Sequence, residues 1–112
     1  MGFENGVLAG KVSKDLGLLQ RHISMLQIVA ENEPIGIIKL AEMLKLPQHK
    51  VRYSLRLLEK DGLIKASSTG ARTTRKVGPF LDEMMENLTT IGEAVKDVQR
   101  AALRLRKTIG TG

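Results

Sequence analysis

The sequence predicts a mainly α-helical fold with one small β-hairpin and one long C-terminal helix. Three observations carry this prediction. Two helical patterns joined by a three-residue turn span residues 37–61, and two short extended runs around Gly70 follow them. From Leu81 to Ile109 an apolar residue then recurs every three or four positions. A chain of 112 residues with 42% apolar residues suffices for one small domain with an appended helix.

The composition argues against several kinds of site. Cysteine is absent, which excludes disulfides, thiolate zinc sites and cysteine nucleophiles. His22 and His49 lie far apart with no acidic cluster near them, so no metal site and no cofactor are predicted. No catalytic constellation or phosphate-binding loop is visible, which predicts a protein that is not an enzyme. No signal peptide or apolar stretch of about 20 residues is visible, so we expect a soluble, cytoplasmic protein.

The N-terminal third predicts a flexible arm followed by one helix. Residues 1–11 are glycine-rich and aperiodic, whereas an apolar stripe runs from about Val12 to Glu31 with alternating spacings of four and three. A second stripe on this helix predicts two packing partners. Pro34 ends the helix, and the segment Pro34-Ile35-Gly36 favours a strand of one or two residues before the next helix.

The central segment has the pattern of a winged helix-turn-helix. A short apolar helix (37–44) is followed by the turn 45–47 and by a second helix over about 47–61, in which Pro47 suits the first turn. The core face of this second helix is predicted from its spacing to be Val51, Leu55 and Leu58. Gly62 suits a left-handed cap after it.

The two extended runs predict the wing of this unit. Residues 63–67 favour one strand, 68–71 a turn, and 72–76 the returning strand, so that the wing covers about 67–76. The complete DNA-binding domain is predicted over residues 12–78.

The net positive charge is concentrated in this segment. Residues 45–76 contain nine Lys and Arg against Glu59 and Asp61, which leaves +7, while the whole chain carries +6. The remaining residues therefore sum to −1. Positive charge confined to the segment whose pattern suits the major groove predicts binding to double-stranded DNA.

The segment from Pro34 to Lys76 resembles the winged helix-turn-helix of small prokaryotic transcription regulators. It looks most like one-domain archaeal regulators and is similar to the MarR and PadR groups. The resemblance rests on a pattern of apolar, acidic and glycine positions: Val51, Leu55, Leu58, Glu59, Gly62, Leu63 and Ile64. MarR-type proteins have a longer wing and extra helices at both ends, so the resemblance implies a minimal version with terminal helices for dimerisation.

The outer face of the second helix carries side chains that can contact DNA, and two lysines flank it: the face is Gln48, His49, Arg52, Tyr53 and Arg56, and the flanks are Lys50 and Lys60. Arginine can bind guanine, and glutamine can bind adenine, with two hydrogen bonds each. Lys45, Lys50 and Lys60 suit phosphates, as does His49. Tyr53 suits a phosphate, a thymine methyl group or simple coverage of the helix. The alternative is a solvated polar face, and the adjacent basic hairpin favours DNA.

The wing supplies a second group of candidate DNA contacts: Thr69, Arg72, Arg75 and Lys76. An arginine at a wing tip suits the minor groove or the backbone, and Arg72 is preferred over Arg75 for this contact. The alternative is a charged edge hairpin that discourages strand pairing.

Residues 79–112 predict a long, coiled-coil-like dimerisation helix. Its seam consists of nine apolar positions: Leu81, Met84, Leu88, Ile91, Val95, Val98, Ala102, Leu105 and Ile109. The first half of the helix is acidic and the second half basic, which favours an antiparallel homodimer. The alternative explanation is the helix dipole, which by itself favours acidic residues near the N-terminus of a helix and basic residues near its C-terminus.

These features support two functional hypotheses. The first is a homodimeric, sequence-specific DNA-binding transcription regulator that represses by occlusion. The second is a winged-helix protein-interaction subunit of a transcription or repair assembly with only non-specific DNA affinity. RNA binding is disfavoured because Tyr53 is the one aromatic residue in the basic segment that is available for base stacking. No membrane partner is expected, and the sequence identifies no small-molecule effector.

Overall fold

The computed structural model describes residues 8–110, which form four helices and one antiparallel hairpin. In chain order the elements are α1 (Leu8–Asn32), α2 (Ile37–Leu44), α3 (Gln48–Lys60), β1 (Ile64–Ser67), β2 (Gly70–Thr73) and α4 (Val77–Ile109). The chain divides into two compact units between Lys76 and Val77. The predicted fold, a winged helix-turn-helix followed by a long helix, is confirmed.

Helix α1 begins at Leu8 instead of Val12, so part of the predicted flexible arm is helical. Leu, Ala and Lys at positions 8, 9 and 11 are all strong helix formers. The remainder of the predicted arm, residues 1–7, lies outside the described residues. The helix ends at Asn32, whose side-chain amide donates to the carbonyl of Ile28 at 2.8 Å, two residues before Pro34.

The apolar core lies within the first unit. Helix α1 packs against α2 and β2, and α3 packs against α2 and β1. The buried apolar side chains come from every element of this unit: Met25, Leu26, Val29, Ile35, Leu40, Ala41, Val51, Leu58, Leu63, Ile64 and Ala71. The second half of α1 supplies three of these side chains, whereas Val12 and Leu16 in its first half remain exposed.

The core face of α3 differs at one position from the prediction. Val51 and Leu58 are buried as predicted, but Leu55 is only half-buried, and Ser54 is fully buried instead. Positions 51, 54 and 58 recur at three and four residues and therefore lie on one face. The Ser54 hydroxyl finds no hydrogen-bond partner among the described residues. A small side chain here lets α3 approach the core closely.

The turn between α2 and α3 contains the predicted residues 45–47. Lys45 adopts a left-handed conformation, with φ 57° and ψ 42°, and its N–H donates back into α2. Pro47 is the N-cap residue of α3 and precedes the first helical turn in which we predicted it. Its carbonyl oxygen accepts the N–H groups of Lys50 and Val51, so α3 begins at Gln48.

The hairpin is shorter than predicted, and its second strand begins earlier. The turn contains only Ser68 and Thr69, and the second strand is Gly70–Thr73 rather than residues 72–76. The strand shifts because Ala71 is buried and pairs with Ala66 on one side and with Ile35 on the other. Two backbone hydrogen bonds of 2.8 and 3.2 Å form the Ile35 pairing, which confirms the single-residue strand predicted there.

Gly70 makes this pairing possible. Its φ is +134°, and a Cβ atom at this position would lie 2.7 Å from the carbonyl carbon and oxygen of Ile35. Backbone atoms cannot move aside as a flexible side chain can. Ile35 can therefore pair with β2 only because residue 70 has no side chain.

We predict that Gly70→Ala lowers the free energy of unfolding by about 2 kcal/mol or more, through backbone strain and overpacking. Gly17→Ala is the matched control, because Gly17 lies within α1 with open space around it. This control should raise stability by about 0.5–1 kcal/mol through helix propensity. Urea unfolding measures both effects. Equal stability of Gly70→Ala and the wild type contradicts the close approach.

His22, on α1, resists protonation because of its surroundings. Burial is the largest influence and lowers the pKa of His22 below 6.5; the positive charge of Arg21 acts in the same direction, while Asp61 opposes it. The Nε2 atom is buried and has no hydrogen-bond partner among the described residues. The folded protein therefore binds fewer protons at this site than the unfolded chain does just below pH 6.5.

We predict that the free energy of unfolding is highest above about pH 6.5 and falls as the pH drops below that value, because the unfolded chain then gains a proton that the folded protein resists. Urea unfolding at about pH 7.5 and about pH 5.5 measures this slope. His22→Gln should reduce the slope, because the variant has no imidazole at this position to bind the proton. An unchanged slope in His22→Gln contradicts the prediction.

Candidate nucleic-acid interface

Helix α3 presents one exposed face on the side opposite its buried residues. With 3.6 residues per turn, His49, Tyr53, Arg56 and Lys60 lie along one line of the helix and point away from Val51, Ser54 and Leu58. All four outward side chains are exposed. We call these four residues the recognition face.

The other predicted contacts of α3 lie beside this face. Gln48 and Arg52 are exposed on one flank, and Lys50 is exposed on the other. Lys45 is exposed in the turn that precedes the helix. The fold therefore places the predicted α3 residues on one continuous surface along a helix of 13 residues, about 20 Å long.

A cleft of about 240 Å³ opens beside the contact of α3 with the hairpin. Its apolar lining comes from α2, α3 and both strands: Ile37, Leu55, Ile64, Ala66 and Ala71. Arg52, Arg56 and Glu59 contribute the charged part of the lining. Sequence reasoning missed this cleft because it assigned Leu55 to the core.

Both arginines of the cleft are available to an anion. Within the described part of the chain the ion pairs are Lys11–Asp15 and Asp97–Arg100, so no carboxylate lies within 4.0 Å of Arg52 or Arg56. A guanidinium group offers a planar set of donors that matches a phosphate. The cleft thus combines two unpaired cations with an apolar surface.

The hairpin places its basic residues differently from the prediction. Arg72 is exposed on β2, opposite Lys65 on β1, whereas the tip consists of Ser68 and Thr69. Arg75 and Lys76 follow β2 in the turn that precedes α4. These two cations therefore lie at the base of the hairpin, and the prediction of a wing extending to residue 76 is wrong.

The segment after β2 docks on the C-terminal end of α3. The Thr74 hydroxyl donates to the carbonyl of Gly62, and the Thr74 N–H donates to the carbonyl of Leu63 at 3.1 Å. The Lys76 side chain covers Gly62, whose φ of +78° is the left-handed conformation predicted for the helix cap. The Lys76 ammonium group lies beside the negative end of the α3 dipole, an arrangement that stabilises the helix.

The hydroxyl groups of the hairpin are not equally available. Ser67 Oγ donates to the Gly70 carbonyl at 2.7 Å, so Thr69 Oγ1 must be the donor in its 3.1 Å bond to Ser67. Thr73 Oγ1 donates to Glu33 at 2.7 Å. The Ser68 hydroxyl, at the tip, has no hydrogen-bond partner within residues 8–110. It is therefore available to donate a hydrogen bond to a phosphate.

Glu33, which sequence reasoning did not single out, is attached to the same strand. Its Oε1 atom accepts the backbone N–H of Thr73 at 2.9 Å as well as the Thr73 hydroxyl. These two hydrogen bonds, the backbone one foremost, lower the pKa of Glu33, and the nearby charge of Arg72 adds to the effect.

Over residues 8–110, no three His, Asp or Glu side chains are grouped so that they could hold a metal ion. None of the helices there is long and apolar enough to cross a membrane.

Residues 18–65 match a protein-family model described as winged helix-turn-helix DNA-binding. The matched segment runs from the middle of α1 through α2 and α3 into β1, and it includes the recognition face. This match supports a DNA-binding transcription regulator. No curated protein matches the chain. The resemblance to MarR, PadR and archaeal regulators stays a prediction.

Proposed function

We propose that this winged helix-turn-helix chain is a homodimeric, sequence-specific transcription regulator that represses by occluding its operator. The observation that carries the proposal is the recognition face: exposed cationic and polar side chains on α3, the second helix of the helix-turn-helix, within a segment that matches a DNA-binding family model. The net +7 of residues 45–76 surrounds this face, so attraction to the DNA backbone and the geometry of groove entry act on one surface.

Helix α3 enters the major groove in this proposal. Arg52 and Arg56 suit guanine, and Gln48 suits adenine, because each can make two hydrogen bonds to the edge of that base. Positions at the margins of α3 contact phosphates and set the orientation of the helix: Lys45, Lys50 and Lys60, with His49. Tyr53, which is 54% exposed, reaches a phosphate or a thymine methyl group.

The wing contacts the backbone beside the adjoining minor groove. Arg72 projects from β2, and the free hydroxyl of Ser68 is a donor for a phosphate at the tip. Arg75 and Lys76 add positive charge at the base of the hairpin.

Helix α4 joins two copies of the chain. None of its residues is buried, and five side chains of its apolar seam are between 41% and 68% exposed: Ile91, Val95, Val98, Leu105 and Ile109. A second copy would remove this apolar surface from water.

Charge favours the antiparallel arrangement of the two α4 helices. Residues 77–93 contain four acidic residues and no basic ones, whereas residues 94–109 contain five basic residues and Asp97. Antiparallel helices therefore place a half of charge −4 beside a half of charge +4. The intrahelical pair of Asp97 and Arg100, at 2.7 Å, leaves the other cations of the second half available.

The exposed seam also favours a second candidate function. A different protein could cover α4, and the chain would then be a subunit of a larger assembly with only non-specific DNA affinity. The two candidates differ in the mass of the purified protein and in whether one DNA sequence is preferred. Selection from random-sequence duplexes and light scattering distinguish the two candidates.

Selection from random-sequence duplexes at two salt concentrations tests sequence-specific binding. We expect enrichment of an inverted repeat whose half-sites are centred about 34 Å apart, which is one helical turn. Arg56→Ala should lose about 1–3 kcal/mol at one base position and relax the preference there. Lys45→Ala should weaken all duplexes alike and reduce the salt slope by about one. Binding without any enriched motif would overturn the proposal.

Light scattering at micromolar concentration tests dimerisation. We expect twice the mass of one chain for the wild type and a single-chain mass for Val98→Glu, because a buried carboxylate without a partner is unfavourable in the seam. Gln99→Glu is the matched control, since this neighbouring exposed position lies off the seam. A single-chain mass for the wild type would contradict the dimer.

Cysteine cross-linking tests the helix direction, because the natural chain contains no cysteine. In antiparallel helices Leu81→Cys should form a disulfide with Ile109→Cys of a second copy and none with itself. Self-linking of Leu81→Cys would indicate the parallel arrangement.

A further inference from the structure

We propose that Glu33 is a positioning residue for the wing: its carboxylate holds the end of β2 and thereby directs Arg72 toward the DNA. The inference rests on the proposed function, because it assigns to Arg72 a contact with nucleic acid. Glu33 lies outside the basic segment and carries the opposite charge, so its role is separate from the attraction of phosphate.

The edge of β2 shows why a side chain is needed at this point. Ala71 and Ile35 exchange both of their backbone hydrogen bonds across this edge. In a continuous antiparallel ladder, Thr73 would pair with the backbone of Glu33 in the same way. The Thr73 N–H donates instead to the side chain of Glu33 at 2.9 Å. The carboxylate thus extends the pairing by one position beyond the end of the backbone bridge.

The negative charge of Glu33 strengthens this bond, and a second hydrogen bond joins the same two residues. The same Oε1 atom of Glu33 accepts the Thr73 hydroxyl at 2.7 Å. Hydrogen bonds to an ionised acceptor are about twice as strong as those between neutral groups. The lowered pKa of Glu33 agrees with this arrangement, since both donors stabilise the carboxylate form.

Arg72 lies between the two points at which the outer edge of β2, the one away from β1, is held: Ala71 by Ile35 and Thr73 by Glu33. Successive side chains of a strand point to opposite faces, so buried Ala71 and bonded Thr73 direct Arg72 to the other, exposed face. No carboxylate among the described residues forms an ion pair with Arg72, so its guanidinium group is free for a phosphate. Without Glu33, the edge of β2 that faces away from β1 keeps only the pairing of Ala71 with Ile35, and the Thr73 N–H loses its partner.

The positioning role and the charge of Glu33 predict opposite changes in DNA affinity when Glu33 is removed. Removing a negative charge beside a DNA-binding surface should strengthen binding if only electrostatics matter. Removing a positioning residue should weaken binding. The variants Glu33→Ala, Glu33→Gln and Glu31→Ala separate the two effects, because Gln keeps an acceptor for Thr73, and Glu31 is an exposed carboxylate two residues away that bonds Gln27.

The first measurement is amide hydrogen exchange in the full chain without DNA. We expect the Thr73 amide to exchange about tenfold faster in Glu33→Ala than in the wild type, and to remain protected in Glu33→Gln and Glu31→Ala. Circular dichroism should show an unchanged helical fold in all three variants, since Glu33 is exposed. Equal exchange of Thr73 in Glu33→Ala and the wild type would overturn the proposal.

The second measurement is affinity for the duplex selected by the wild-type protein. Glu33→Ala should bind about three- to tenfold more weakly, whereas Glu33→Gln and Glu31→Ala should bind as tightly as the wild type or more tightly. The loss should disappear when Glu33→Ala is combined with Arg72→Ala, because the two residues act through one contact. Tighter binding by Glu33→Ala, or a full loss in the Arg72→Ala background, would overturn the positioning role.

The two measurements also separate this inference from the proposed function. If the wild type binds no duplex, the proposed function fails and the positioning role fails with it, whatever Thr73 does. If the wild type binds but Glu33→Ala binds equally well, the proposed function stands and only the role of Glu33 is lost.

Discussion

Burial of one face of α3 is the constraint on which the rest of the candidate interface depends. Val51, Ser54 and Leu58 lie in the core, and the helix can rotate only if one of them leaves it. Since a helix has 3.6 residues per turn, the residues that face outward are then determined. The unpartnered hydroxyl of Ser54 is a cost of this arrangement, accepted at a position where a larger apolar side chain would push the helix outward.

The hairpin depends on the same core through a different contact. Two isolated strands of four residues have marginal stability in water, so this wing needs support from elsewhere in the fold. Ile35 provides it with two backbone hydrogen bonds, and Gly70 provides the space for them. Several hydroxyl groups that look available in the sequence are used up within this small structure. The support of the wing therefore limits which of its groups can still bind a ligand.

Charge separates the two units of the chain. The first unit carries the whole excess of positive charge, on α3, in the hairpin and in the segment after it. Helix α4 carries balanced charge divided between its two halves, together with an exposed apolar seam. Such a division suits a protein that binds a polyanion through one unit and a second protein surface through the other, because the two binding surfaces do not overlap. The proposed dimer joins both tasks by setting the distance between two recognition faces.

The sequence by itself determined the order and type of the elements, because each carries its own periodicity or turn chemistry. The spacing of Val51 and Leu58 predicted the buried side of α3, and the glycine at position 62 predicted its left-handed cap. Only the tertiary structure decided the register of β2, the half-burial of Leu55 and the cleft beside it. On β2, Ala71 pairs with Ile35, 36 positions earlier in the chain, and Thr73 bonds Glu33, 40 positions earlier. Periodicity and turn chemistry report only on residues that are close together in the chain. The fold was therefore predictable from the sequence, whereas the set of interface side chains without an intramolecular partner was not.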